Sequence, residues 1–267
     1  MNETWIYKQT ELNILQWDSA MEKHYPEVSE WIHNPNKYYA RLCEECNYLD
    51  SVKLIDWSFY LRESHLKVLD IGCGGGWLAG FLSEFESIHT IYALDSSKYF
   101  LSYLLPEVIQ KMNGKINKVI PIEGLFTPIL FEDHSLDVVV ASSALHHADS
   151  LEVVLKEANR VIKKDGLLFI LNETPDSWMH HIARVSWYFI RILKKTIFCN
   201  YVSVSPSLSA SGLLYDPYLG DKSYPLWYWK DVIRSSGFAI EDVVRTKLST
   251  VKGLRGPELV HFVCRAI

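Results

Sequence analysis

The sequence has no run of about 18 apolar residues free of charge, so a membrane-spanning helix is not expected. It opens without a basic region followed by an apolar stretch, Met1 to Thr10 being mixed, so no secretory signal is expected either. A disulfide framework is also missing. The five cysteines (Cys43, Cys46, Cys73, Cys199 and Cys264) are odd in number and irregularly spaced, which suits a reducing compartment and a cytoplasmic location. Cys43 and Cys46 form a C-x-x-C pair, but no second pair or histidine follows at zinc-finger spacing, so they read as ordinary thiols and no metal is expected. There is no basic excess: 27 Lys and Arg face 32 Asp and Glu, for a net charge of -5, which argues against nucleic acid as the main partner.

What is present is a chain of 267 residues, 48% hydrophobic and 22% charged, long enough to bury a large core. Its one unusual figure is 35 aromatic residues. Residues 1–64 are rich in Trp, Tyr and charge with a helical texture, split by the turn signal Asn34-Pro35-Asn36, and read as an N-terminal helical cap. From 65 onward, short apolar runs alternate with amphipathic segments. Strands are expected at Leu66–Ile71, Thr90–Leu94, Lys118–Ile122, Leu136–Ala141 and Leu167–Leu171, the third weakened by Pro121. Continuous runs of this kind suit a parallel sheet covered on both faces. A helix is expected over Leu78–Phe85, and another on the stripe Leu151, Val154, Leu155, Ala158, Val161 and Ile162, closed by Lys163-Lys164-Asp165-Gly166. The regularity breaks in an insertion at about 175–225. A helix over Leu226–Gly237 and strands at Phe238–Thr246 and Glu258–Ala266 then finish the chain. The expected fold is α/β and Rossmann-like: a doubly wound, mostly parallel seven-stranded sheet, with the cap and an insertion after strand five.

The first strand runs into Gly72-Cys73-Gly74-Gly75-Gly76, which opens a helix. Glycines let a ligand approach the backbone, and the helix amides offer donors to an anionic group. Asp95 follows 19 residues after Gly76 at the end of the second strand, where a carboxylate can accept both hydroxyls of a ribose. The dinucleotide fingerprint G-x-G-x-x-G fails: counted from Gly72 its third glycine falls on Trp77, and counted from Gly74 on Ala79. In its place Asp70 stands two residues before Gly72, an acid that suits an ammonium group. Amides, an acid for an amine and an acid for a ribose fit S-adenosylmethionine better than a pyrophosphate.

Val68–Gly76 resembles the first motif of the class I S-adenosylmethionine-dependent methyltransferases, and in particular their type 11 group. The resemblance covers roughly residues 66–172. Ala93-Leu94-Asp95-Ser96-Ser97 is similar to the ribose-binding strand end, and Phe131–Val139 to the passage before strand four. Ala141–His147 resembles the exit of that strand, and Arg160–Gly166 the closure before strand five. It implies S-adenosylmethionine as cofactor, with Gly72, Cys73, Gly74 and Gly76 lining its methionine and ribose and Asp70 near its amino group. Asp95 would hold the ribose hydroxyls and Ser96 would lie beside the adenine. Ser142, at the exit of strand four, would also face the cofactor. After Gly124, where relatives carry an acid for the adenine amine, this chain has Leu125 and Phe126, so adenine recognition there falls to backbone and apolar contacts. The tetrapeptide of DNA amino-methylating enzymes is replaced by Ser142-Ser143-Ala144-Leu145, and the paired-glutamate loop of protein arginine methylation is missing.

Methyl transfer is an in-line displacement, in which positioning supplies much of the rate and an oxygen nucleophile gains from a general base. His146 and His147, at the exit of strand four, and Glu173, at the exit of strand five, are the candidate catalytic residues, with Asn172 a weaker substrate contact. His180 and His181 fall on different faces of a helix and read as surface or cap residues. The expected reaction is methylation of a small or carrier-linked acceptor, at an oxygen of a biosynthetic intermediate or sugar. Two competing readings are a scaffold that binds the cofactor without catalysis and an NAD-dependent oxidoreductase, which would want glycine at 77.

Residues 177–215 contain no Asp or Glu but include Arg184, Arg191, Lys194 and Lys195 among Trp178, Ile182, Val185, Trp187, Tyr188, Phe189, Ile192 and Leu193. This reads as a lid over the active site, or as a basic aromatic face (178–195) that makes peripheral contact with anionic lipid. Trp227, Tyr228 and Trp229, with Trp17 and Trp31, are candidates for an aromatic acceptor pocket. Aromatic residues are sparser in 66–171 and crowd the cap and the stretch from 178 to 229, so the excess is expected on the acceptor side. The sequence does not speak to oligomeric state.

Overall fold

Five of the six positions of strand β2 (Leu66–Ile71) are buried, as are five of the seven in β5 (Leu136–Ser142). A strand without a solvent face needs cover on both sides, and both strands lie at the middle of one large sheet. The structure is a computed structural model and describes residues 3–4, 19, 22–198, 207–209, 212–216 and 218–267. Among these the sheet runs β1 (Glu3–Thr4), β4 (Val119–Glu123), β3 (Ile88–Asp95), β2, β5, β6 (Ile162–Glu173), β11 (Glu258–Ala266), β10 (Phe238–Ser249). The strands from β1 to β6 are parallel, and β11 alone runs the other way, antiparallel to both of its neighbours, β6 and β10. The seven full strands are those expected; the two-residue β1 is an addition at the edge, formed by residues assigned to a helical cap.

The chain winds outward from β2 to β3 and β4, then returns to place β5 on the other side of β2. That reversal opens a crevice at the carboxyl ends of β2 and β5, the place where such sheets bind ligands. In the cap, helices α1 (Pro26–Ile32), α2 (Pro35–Tyr39), α3 (Tyr48–Val52) and α4 (Trp57–Tyr60) follow one another. Asn34 caps α2, its side chain accepting from the amides of Asn36 and Lys37. Trp57 carries the cap onto the sheet, its ring 4.7 Å from that of Phe169, in a core shared with α5 (Trp77–Ser83) and α6 (Leu105–Lys111). The opposite face is covered by α7 (Leu151–Val161) and α9 (Leu226–Ser235). Between β6 and α9 stand α8 (Trp178–Phe198) and the small antiparallel strands β7 (Ser207–Leu208), β8 (Leu214–Tyr215) and β9 (Lys222–Ser223), a sheet that no periodicity announced.

Two local expectations are corrected. The helix after Ser150 ends at Val161 with Ile162 already extended, so Lys163–Gly166 belong to β6 and do not form a glycine stop. Asp165 takes the left-handed turn there (φ 63°), while Gly166 is needed for space, since a Cβ would lie 2.8 Å from the carbonyl oxygen of Asp137. Pro121 sits inside β4, tolerated because beyond β4 lies only β1, which pairs with Ile122 and Glu123. Trp17 and Cys199 lie outside the described residues.

Candidate functional site

The glycine loop is bent back under the end of β3, with the amides of Gly72 and Cys73 both donating to the carbonyl of Leu94 (2.8 and 3.0 Å). Gly72 and Gly76 hold φ of +68° and +76°, which side-chain-bearing residues rarely adopt. A Cβ on Gly72 would lie 2.7 Å from Ala144 Cβ and 3.0 Å from the Phe126 ring. The loop, Phe126 and the turn after β5 therefore converge on one point. From the cap, the buried Tyr38 accepts the amide hydrogen of Gly75 at 2.7 Å, and burial pushes its hydroxyl well above the usual tyrosine range. Sequence reasoning missed Tyr38, because nothing near it in the chain announces a partner 37 residues away.

Two carboxylates face each other across the loop. Asp95 accepts from the amides of Gly74 and Ser97, each at 2.8 Å, yet burial still raises its pKa. Asp70 is 1% exposed, and its Oδ2 is buried without a partner. Burial, with the charge of Asp95 adding to it, raises its pKa to about 8. The Cys73 thiol is pushed up by burial and by both acids, so it is no nucleophile. Ser96 is half-buried beside Asp95, Leu125 is exposed, and Phe126 packs against the loop.

The turn Leu145–His147 carries the two histidines. His146 Nδ1 lies 3.0 Å from Glu173 Oε2, and Leu145 N donates to Oε1 at 3.2 Å, so the buried Glu173 fixes both the ring and the turn. Burial alone would lower the His146 pKa, but the Glu173 carboxylate, reinforced by Asp221, leaves it raised. His147 Nδ1 meets Asp221 Oδ1 of the insertion at 2.5 Å. His146, His147 and Asp221 bring potential ligand atoms within 4.8 Å of one another. The 2.5 Å contact is shorter than the roughly 3.3 Å between neighbouring tetrahedral ligands, so as placed these groups form a hydrogen-bonded pair.

Asn172, buried and in a left-handed conformation (φ 56°), is tied to Ser51 and Tyr48 of the cap and donates to Ser142 Oγ at 2.9 Å, while Ser142 itself is half-buried. His180 is exposed and paired with Asp176, while His181 turns inward. Cys43 and Cys46 are buried, and burial lifts both thiols, Cys43 to about 12, as befits unreactive side chains. A cleft of about 490 Å³ opens beyond His146 and Glu173, lined further by Tyr25, Arg184, Tyr224 and Trp229. The aromatic cluster divides instead of forming one pocket: Trp31 packs on Tyr38 by the glycine loop, Trp229 borders the cleft from the core, and Trp227 faces solvent.

Residues 69–170 match the family described as a methyltransferase domain. They form a class I S-adenosylmethionine-dependent methyltransferase domain. The ubiquinone biosynthesis O-methyltransferase of Pelagibacter ubique is 27% identical over 155 residues, 57% of this chain and 60% of that protein. The sterol 24-C-methyltransferase erg-4 of Neurospora crassa is 29% identical over 177 residues, 61% of this chain and 44% of that protein. The chain thus spans about half the length of these relatives. The fold matches the 1,6-didemethyltoxoflavin-N1-methyltransferase of Burkholderia thailandensis with a TM-score of 0.59, at 13% identity, over 100% of this chain and 93% of that one. The methyltransferase domain offers what its cofactor, S-adenosylmethionine, needs: a buried carboxylate oxygen lacking a donor, and beside it a cradle too tight for any Cβ.

Proposed function

We propose that the protein transfers the methyl group of S-adenosylmethionine to an oxygen of a small or carrier-linked acceptor bound in the cleft beyond His146. In this reading Gly72, Cys73, Gly74 and Gly76 line the methionine and ribose, Asp70 receives the ammonium group, and Asp95 the ribose hydroxyls. Ser96, Leu125 and Phe126 border the adenine, with Ser142 supporting the strand end through Asn172. When bound, the cofactor supplies an electrophilic methyl group. The protein's own task is to hold the acceptor hydroxyl in line and to take its proton.

The observation that carries this reading is the His146–Glu173 pair at the mouth of the cleft. With Nδ1–H donated to Glu173, the lone pair of Nε2 is left to accept the acceptor's proton as its oxygen bonds to carbon. His147, held by Asp221, closes the same side. The aromatic walls Tyr25, Tyr224 and Trp229 favour a flat or apolar acceptor. The relatives named for ubiquinone biosynthesis and for sterols agree with that class.

The test is transfer of labelled methyl from S-adenosylmethionine to a panel of phenols, hydroxy acids, sugars and carrier-linked acyl groups, with calorimetry of the cofactor alongside. Labelled methyl ether or ester that disappears in His146→Ala is the expected result. Tight cofactor binding with no transfer to any acceptor would instead mark a binding scaffold.

A further inference from the structure

Helix α8 turns its apolar side outward. Trp178, Ile182, Phe189 and Leu193 are 63, 54, 57 and 60% exposed. Their spacing of four, seven and four residues stacks them on one face of a helix with about 3.6 residues per turn. Met179 and Ile190 widen that face, and no charged residue interrupts it. The half-buried residues His181, Arg184, Val185 and Tyr188 recur at intervals of three and four on the other side. There Arg184 reaches inward to Asp176 (2.5 Å) and Ser223 (3.3 Å). A helix made only to cover its own protein would show the reverse pattern. A contiguous exposed apolar face of this kind marks an interaction surface.

The charge around it selects the occupant. Residues 177–215 hold four basic side chains and no acid, although the chain as a whole carries -5. A second copy meeting this face would set basic stretch against basic stretch, whereas an anionic surface complements it. The helix is 21 residues, about 30 Å, long, and among the described residues no helix is long and apolar enough to cross a bilayer. Aromatic and aliphatic residues on one exposed face, in a stretch whose only charged residues are basic, are the features of a helix that lies in the plane of a membrane interface. We propose that α8 docks the protein on an anionic lipid bilayer, with Trp178, Ile182, Phe189 and Leu193 seated at the headgroup–acyl boundary. Arg184 lies on the same helix and lines the cleft, so docking would bring the cleft to the lipid surface.

The test is co-sedimentation of the whole chain with vesicles of phosphatidylcholine alone and of phosphatidylcholine with phosphatidylglycerol, at low and high salt. Binding that needs phosphatidylglycerol and weakens with salt is expected. Phe189→Glu and Leu193→Glu should each lower partitioning roughly tenfold, while thermal melting and S-adenosylmethionine affinity stay unchanged. Failure to sediment with either vesicle, equal binding to both, or unchanged binding by the two variants would overturn the proposal. So would light scattering that shows a dimer which Phe189→Glu dissociates, since a second copy would then be the occupant. Methyl transfer is not read in this experiment, so its outcome stands apart from the catalytic assignment.

Discussion

Glu173 reaches two consecutive residues at once: its Oε1 accepts from the backbone of Leu145 and its Oε2 lies 3.0 Å from the ring of His146. One buried carboxylate at the end of β6 thereby sets both the path of the turn after β5 and the orientation of the imidazole upon it. An imidazole held this way would need no reorganisation before taking a proton, which is where positioning contributes to rate. Because Glu173 comes from the neighbouring strand, the pair exists only once β5 and β6 are in register, with Ser142 opposite Leu171.

His146→Ala is expected to lower kcat by about 10²–10⁴ with little change in cofactor affinity. The pH profile carries the sharper test. Glu173 and Asp221 raise the His146 pKa above the ordinary value of about 6.5, and a base works only when neutral, so activity should rise with pH through that raised value. Glu173→Gln removes the charge that favours imidazolium, so the acidic limb should move to lower pH. An unmoved limb in Glu173→Gln would mean that His146 is not the titrating group.

Asp70 gives a prediction of opposite sign for stability and binding. Its folded pKa of about 8 lies far above an ordinary carboxylate, so between those values the folded state binds more protons than the unfolded. The cofactor-free protein should therefore lose stability as pH rises through that window. Asp70→Asn, which cannot ionise, should melt several degrees higher than the parent at alkaline pH and nearly the same at acid pH. It should also bind S-adenosylmethionine about tenfold or more weakly, having lost the partner for the ammonium group. Scanning calorimetry across pH, with and without cofactor, reads both effects.

The glycine loop supplies a steric counterpart. Gly72→Ala would force a Cβ to 2.7 Å from Ala144 Cβ at a φ of +68°, a strain of about 1–3 kcal/mol. Melting should fall by several degrees and cofactor binding should be lost, because relief requires moving the turn that carries His146. Titration of the purified variant with S-adenosylmethionine checks this, and near-normal affinity would show that the loop is not the cofactor cradle.

Much of this arrangement is legible in the chain because its causes are local. Leu66–Ile71 is apolar at four of its six positions and buried at five, as suits a strand covered on both faces, and Gly72 and Gly76 stand where the backbone turns left-handed. Asp70 and Asp95 are fixed by their places at strand ends. Other parts depend on distant pairings that no local pattern encodes. Tyr38 meets Gly75 from 37 residues away and Asp221 meets His147 from 74 away. Lys163–Gly166 read as a helix stop because basic residues and glycine favour one. The strand prevailed because β6 pairs with β5 on both sides of that stretch, Ile162 opposite Leu136 and Leu167 opposite Val138, with a register shift between them. Residues 178–193 likewise announce their composition, but only the helix shows that the apolar side faces out.

Asp221 ties the insertion to the turn after β5. Its carboxylate meets His147, and its neighbour Lys222 donates to the carbonyl of Ala148 at 2.8 Å. Burial pushes the Asp221 pKa upward, but the His147 hydrogen bond and the positive groups around it leave it lowered overall. A lowered carboxyl pKa contributes stability that is present above the unfolded value and lost as pH falls through the folded one. Asp221→Asn should therefore cost about 1 kcal/mol, or roughly 2–4 °C in Tm, near neutral pH, with the difference closing in acid. The bond lies between the cleft wall and the turn, not at the glycine loop. Loosening it should raise KM for the acceptor more than it lowers kcat, and leave the Kd of S-adenosylmethionine unchanged. A variant that loses cofactor affinity in step with acceptor affinity would show that Asp221 supports the whole crevice, not the acceptor side alone.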